Sequence, residues 1–130
     1  MKISVITVAY HAAHTIEDTI KSVIAQSYTN IEYIVIDGGS SDGTVDIIKQ
    51  YAEHIHAWVS EPDQGIYDAM NKGIAMATGD VIGILNADDI YAHSDVLQEA
   101  ASAFDDGAID CCYGDLVYVS EDLSQHVRYW

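Results

Sequence analysis

The chain has 130 residues, with 5 Lys and Arg against 21 Asp and Glu, for a formal net charge of −16. At 49% hydrophobic and 20% charged residues it is composed as one globular domain, neither a disordered acidic tail nor a chain long enough for a two-domain enzyme. Such acidity excludes a nucleic-acid-binding surface or a polybasic membrane anchor, and it leaves backbone amides or a metal ion to hold any phosphate.

Ile3-Ser4-Val5-Ile6-Thr7-Val8-Ala9 is short and β-branched, the pattern of a buried strand. Ile16, Ile20, Val23 and Ile24 recur at helical spacing and predict a helix over 14–27. Ile31-Glu32-Tyr33-Ile34-Val35-Ile36 is a second strand ending at Asp37. A tight loop follows at 38–44, then a helix marked by Val45, Ile48 and Tyr51, with Ser41 or Asp42 as its cap. A third strand, 56–59, is stopped by Glu61-Pro62-Asp63. Ile66, Met70 and Ile74 predict a helix over 65–78 with Gly79 as its C-cap. Val81-Ile82-Gly83-Ile84-Leu85 is a fourth buried strand that runs into Asn86-Ala87-Asp88-Asp89. A helix over 94–104 and a strand near 109–119 come next, and Gln125–Trp130 reads as the start of another strand. Ending there on a bulky aromatic gives the expectation of a longer natural protein. Strands alternating with helices predict an α/β fold, a mainly parallel sheet covered on both faces.

No run approaches about 18 apolar residues, so no membrane span is predicted, and the apolar run at the N-terminus is too short for a signal peptide. The expected location is the cytoplasm, or the inner face of the membrane as a peripheral protein. Cys111 and Cys112 are adjacent and cannot staple distant segments, so two buried thiols on opposite faces of a strand are expected.

In an open parallel sheet, ligands bind beyond the carboxyl ends of the strands. Asp37 closes the second strand, and Asp88 with Asp89 closes the fourth. Crowded carboxylates require a cation or raised pKa values, and a hard divalent ion with oxygen ligands meets that requirement. The glycine loop at 38–43 matches neither a Walker A motif nor a dinucleotide fingerprint. Gly38, Gly39 and Gly43 either let a ligand approach the backbone or simply form the turn before a helix.

Four blocks occur in order: Ile6-Thr7-Val8-Ala9-Tyr10; Ile36-Asp37-Gly38-Gly39-Ser40-Ser41-Asp42-Gly43-Thr44; Gly65-Ile66-Tyr67-Asp68-Ala69-Met70-Asn71-Lys72-Gly73; and Gly79-Asp80-Val81-Ile82-Gly83-Ile84-Leu85-Asn86-Ala87-Asp88-Asp89. Together they resemble glycosyltransferase family 2, enzymes of the Rossmann-like GT-A fold that use nucleotide-sugar donors. The resemblance covers essentially the whole chain and implies that residues 1–130 are the N-terminal, donor-binding portion of such a domain. It implies nucleoside contacts at Thr7 and Ala9, a base contact at Asp37, a nucleotide or metal contact at Asp88 and a metal or pyrophosphate contact at Asp89. Lys72 and Asp68 fall in the segment that flanks the donor. The implied cofactor is Mn²⁺ or Mg²⁺. The implied partners are a UDP-, dTDP- or GDP-sugar, with UDP favoured, and a glycan or lipid-linked acceptor.

The sequence departs from that pattern at His11, where the family often has Asn, and at Asn86, in place of a more frequent first Asp. The family's catalytic base belongs to a later segment and is expected beyond Trp130. Asp115, after Tyr113-Gly114, is a candidate for lining the sugar site. A nucleotide-binding module without turnover is the alternative reading. A phospho-acceptor receiver domain shares the size and fold class, but it requires an acidic pair after the first strand and a Lys after the last. Here the first strand ends Ala9-Tyr10-His11, and no Lys follows Lys72. His54 and His56 would share a strand face but lack a third ligand at a diagnostic spacing. Trp58 and Trp130 are expected to pack. The tyrosines at 28, 33, 51, 67, 91, 113 and 118 are expected to place wet hydroxyls at the edge of the core, and Asp105-Asp106 to form a solvated turn. A bare sheet edge would invite pairing, so a homodimer is expected to use it.

Overall fold

The computed structural model describes residues 1–129. β1 (Ile3–Ala9) is buried along its whole length, as a strand with neighbours on both edges and layers on both faces must be. It pairs in parallel with β2 (Ile31–Asp37) on one side and with β4 (Val81–Ile84) on the other. β3 (Ala57–Ser60) pairs in parallel with β2, so the sheet order is β3-β2-β1-β4. β5 (Val117–Val119) and β6 (His126–Tyr129) form a separate antiparallel pair. Trp130 lies outside the described residues.

Helices α1 (Ile16–Ile24), α2 (Thr44–Gln50) and α4 (Val96–Ala103) pack Ile16, Ile20, Val23, Ile48, Leu97 and Ala101 onto the sheet face carrying Val5, Tyr33 and Val35. α3 (Ile66–Met76) covers the opposite face, setting Ala69, Met70 and Met76 against Ile6, Val8, Ile34 and Ile36. It lies closer to β1 than a larger residue would permit, because a Cβ at Gly73 would run into the Ile6 side chain. Each fully buried Ile in these two layers contributes about 2 kcal/mol. With every strand of the sheet parallel, the carboxyl ends of β1, β2 and β4 open onto one edge.

The structure corrects several expectations. Gly79 is not the C-cap of α3, which ends at Ala77 in an extended conformation. Its role is close approach, since a Cβ there would lie 2.8 Å from the Lys2 carbonyl oxygen and 2.5 Å from Ser4 Oγ. The cap of α2 is Gly43, at φ 103°, and Asp42 instead accepts the Thr44 N–H and hydroxyl through Oδ1 at 3.1 and 2.6 Å. β4 is nowhere fully buried: Val81 and Gly83 are half-buried, and Ile82 and Ile84 on the other face are 42% and 41% exposed, so that face of the sheet is incompletely covered. The strand near 109–119 shrinks to 117–119. Cys111 and Cys112 therefore sit in an irregular exposed stretch, without the sheet that would have buried them. Tyr33 is fully buried and bonded to Thr7, whereas Tyr67 and Tyr113 are largely exposed, so the tyrosines do not share one role. Asp105 and Asp106 are exposed in a turn after α4, as expected.

Candidate functional site

A crevice of about 720 Å³ opens at the carboxyl ends of the strands. It is lined by Ala9 and Tyr10 after β1, Gly38 and Gly39 after β2, Pro62, Asp63 and Gly65 ahead of α3, and Asn86 and Asp88 after β4. Three of the four family-like blocks meet here because the parallel sheet brings their strand ends together. The fourth contributes Gly65, Ile66 and Ala69 from the start of α3.

Asp37 organises one wall without facing the crevice. It is fully buried, and Oδ2 accepts from the Gly39 and Ser40 N–H groups at 3.1 and 2.9 Å and from Ser60 Oγ at 2.7 Å. Oδ1 accepts from Ser40 Oγ at 2.5 Å. This clamp curls the loop so that Gly39 takes φ 89° and passes near the Pro62 backbone. A Cβ on Gly38 would stand 2.9 Å from the Asp63 carboxylate, so glycine there keeps the floor of the crevice open.

The loop after β1 is sewn to the loop after β2. The N–H of His11 donates to Ser40 Oγ at 2.8 Å, that of Ala12 to Thr44 Oγ1 at 2.9 Å, and that of Ala13 to Asp42 Oδ2 at 3.2 Å. The hydrogen bonds Asp42 receives, chiefly from Thr44, hold its carboxyl below the usual carboxylate range. His11 adopts φ 50°, a left-handed conformation in which Asn and His are both enriched, so His here and Asn in the resembling family suit the same backbone. Its ring stacks on Tyr10 with centroids 4.1 Å apart.

Five loop amides at the crevice are occupied by internal bonds. The Gly38 N–H donates to the Ala9 carbonyl, those of Gly39 and Ser40 to Asp37, that of Gln64 to Asp68 and that of Gly65 to Asp63. Among the described residues, no Lys, Arg or His lines the crevice.

The acidic corner after β4 differs. Asn86 Oδ1 is buried without a hydrogen-bond partner, an oxygen that costs about 1–3 kcal/mol to leave unsatisfied. Asp88 is exposed beside it on the crevice wall. Burial, and then the Asp88 charge, raise the Asp89 carboxyl above the usual range. An orphaned amide oxygen with two neighbouring carboxylates is an all-oxygen donor set that suits a hard divalent cation completing its shell from a ligand. Among the described residues no group of three or more His, Cys, Asp or Glu forms a metal cluster by itself.

The sequence-predicted residues separate accordingly. Ala9 and Asp88 line the crevice, Asp37 is buried behind the glycine loop, and Asp89, one residue past Asp88, is exposed and not among the lining residues. Thr7 does not reach it: its side chain is fully buried beneath the crevice, with its hydroxyl 2.9 Å from that of Tyr33. Lys72 is also set back, held by Glu61 at 3.1 Å and Asp68 at 3.9 Å, and its pKa is raised chiefly by the hydrogen bond to Glu61. Asp115 is exposed and not among the lining residues. His54 and His56 do not share a strand: His54 ends a short 3₁₀ turn, and His56 Nδ1 accepts the Tyr33 N–H. Asp63 and Tyr10 line the crevice although the sequence reading does not single them out. The signal for Asp63 is its place after β3, at the same sheet edge as the glycine loop.

The family model for glycosyl transferase family 2 matches residues 4–130. The chain is 44% identical over 102 residues to an uncharacterized glycosyltransferase of Mycobacterium tuberculosis, Rv1514c, covering 78% of this chain and 39% of that protein. It is 42% identical over 90 residues to the putative teichuronic acid biosynthesis glycosyltransferase TuaG of Bacillus subtilis, covering 67% of this chain and 36% of the relative. Among solved structures, the mannosyltransferase PcManGT of Pyrobaculum calidifontis, in complex with GDP-Man and Mn²⁺, superposes with a TM-score of 0.75 at 28% identity over 81% of this chain and 32% of that one. S. aureus TarS 1-349 in complex with UDP gives 0.72 at 25% identity, over the same shares of the two chains. The chain thus spans well under half the length of these relatives.

Proposed function

The chain belongs to glycosyltransferase family 2, and from that premise we propose that its crevice binds the nucleoside diphosphate end of a sugar donor, UDP-linked by preference. The reaction served is inverting transfer to a glycan or lipid-linked hydroxyl in cell-surface polysaccharide synthesis, a reading supported by the relative TuaG, which is named for teichuronic acid biosynthesis. One observation carries this reading. The amides of Gly38, Gly39, Ser40, Gln64 and Gly65 are spent on internal hydrogen bonds, whereas Asn86 Oδ1 and Asp88 are not. A diphosphate therefore gains no direct donor from those amides, and Asn86, Asp88 and Asp89 are the residues that would hold a cation for it. Bound there, Mn²⁺ or Mg²⁺ supplies Lewis-acid stabilisation of the charge that develops on the leaving diphosphate.

The residues of this chain bind and orient. Gly38 and Gly39 give the nucleoside a close approach to the backbone, and Asp37 acts on it through the loop it clamps. Asp63 is the carboxylate placed to accept from a base: Oδ1 takes the Gly65 N–H at 2.9 Å, and among the described residues Oδ2 accepts no hydrogen bond. Lys72 serves at a distance, orienting Asp68 and Glu61 rather than gripping phosphate. The carboxylate that takes the acceptor's proton is not assigned to any described residue.

Calorimetric titration with UDP, dTDP and GDP, each with Mn²⁺ or EDTA, tests the reading. UDP is expected to bind with the metal and not with EDTA. Asp88→Asn is expected to weaken the metal-dependent binding at least tenfold, or about 1.4 kcal/mol. Equal binding in EDTA would remove the cation from the site.

A further inference from the structure

We propose that α1 positions the acidic corner through a seam of polar side chains that never touch the ligand, with Thr19 as its principal residue. The stretch from Leu85 to Asp95 lies between β4 and α4 and forms neither helix nor strand, so its backbone groups require partners from elsewhere. α1, with Gln26 and Ser27 just beyond it, supplies them. Thr19 Oγ1 donates to the Asp89 carbonyl at 2.7 Å, and Ser22 Oγ accepts the Tyr91 N–H at 3.2 Å. Gln26 Nε2 donates to the His93 carbonyl at 2.8 Å, while its Oε1 accepts the Leu97 N–H at 2.9 Å. The Ser27 N–H closes the seam on the Ser94 carbonyl at 2.7 Å.

Thr19 and Ser22 lie three residues apart and so share one face of α1, and Gln26 follows just past its end. Thr19 is 0% exposed and Gln26 8%, positions where packing alone would favour an aliphatic residue. A buried mid-helix Thr gains nothing from helix propensity, so its hydroxyl is there for its partner. That partner is the carbonyl of Asp89 itself. From the other side, the Ala87 N–H donates to the Val8 carbonyl of β1 at 3.1 Å. Asp88 is therefore held between two fixed points, one on the sheet and one on α1. Holding a ligand's partners in place before it arrives lowers the ordering cost of binding. Thr19 is on this account a positioning residue, and its role rests on the donor-binding reading above.

The test compares wild type, Thr19→Val and Thr19→Ser in three measurements: UDP binding with Mn²⁺, hydrogen exchange of the amides from Asp88 to Tyr91 without ligand, and thermal unfolding. Thr19→Val is expected to weaken Mn²⁺-dependent UDP binding at least fivefold and to speed exchange at those amides selectively, with Thr19→Ser restoring both. Should Thr19→Val fail to fold, Ser22→Ala is expected to give a smaller loss of the same kind. A Thr19→Val chain that binds as wild type, or one whose exchange rises uniformly across the sheet with no rescue by Ser, overturns the seam while leaving donor binding intact. A wild type that binds no nucleotide with Mn²⁺ overturns the donor reading and the seam's role with it.

Discussion

Asp37 has no contact with water and four donors aimed at it. Removing the carboxylate would leave two amides and two hydroxyls without an acceptor in the interior, each worth on the order of 1 kcal/mol or more. Asp37→Ala is therefore expected to lower the unfolding free energy by about 3 kcal/mol in urea titrations, and nucleotide affinity should fall through collapse of the glycine loop. Asp63→Ala should behave in the opposite way. Its carboxylate is only partly buried and holds one amide, so stability should change by about 1 kcal/mol or less while Mn²⁺-dependent UDP binding weakens. A pair of melting curves beside two titrations separates the residue that builds the crevice from the one that reads its occupant.

Elements are tied together by carboxylates too, and one such tie responds to pH. Glu32 on β2 accepts from the Thr78 N–H at 2.8 Å, the Thr78 hydroxyl at 2.7 Å and the Ser4 hydroxyl at 2.7 Å, with Lys2 nearby at 3.9 Å. The bonds from Thr78 lead in lowering its pKa to about 2. A folded-state pKa below the unfolded value means that this stabilisation is complete above the ordinary carboxylate range, near 4.5, and is lost as pH falls from there toward 2. Glu32→Gln should cost about 1–2 kcal/mol at pH 7 and flatten the fall of melting temperature between those limits. The elements themselves were legible: period-2 and period-3.6 patterns placed β1, β2 and the helices to within a few residues. What misled was context. Gly79 looks like a helix stop in sequence, yet it is a steric gap against β1, and 109–116 has strand-like composition without a strand to pair with. In the site, Asp88, Asn86 and the glycines could be read because strand ends announce themselves. Asp63 and the α1 seam could not, because each owes its role to a partner dozens of residues away.

At the scale of the whole molecule, a charge of −16 surrounds a sheet whose β4 face shows Ile82 and Ile84 to water. Exposed apolar side chains on an outer strand promote association, and like charge opposes it. Self-association measured by sedimentation velocity is expected to rise as salt screens the charge, and Ile82→Thr with Ile84→Thr should abolish that rise at little cost in melting temperature.

The strand order also sets a sequence of events in time. Ile3 meets Ile31 on one side and Val81 on the other. During synthesis β1 and β2 can zip while the residues of β4 are still being added, at roughly 5–20 residues per second. One wall of the crevice can thus begin to form before the acidic corner has been made. Until β4 arrives, the strand most deeply buried in the finished sheet keeps a bare edge, and acidic residues already made oppose a wrong pairing there before any ligand could act.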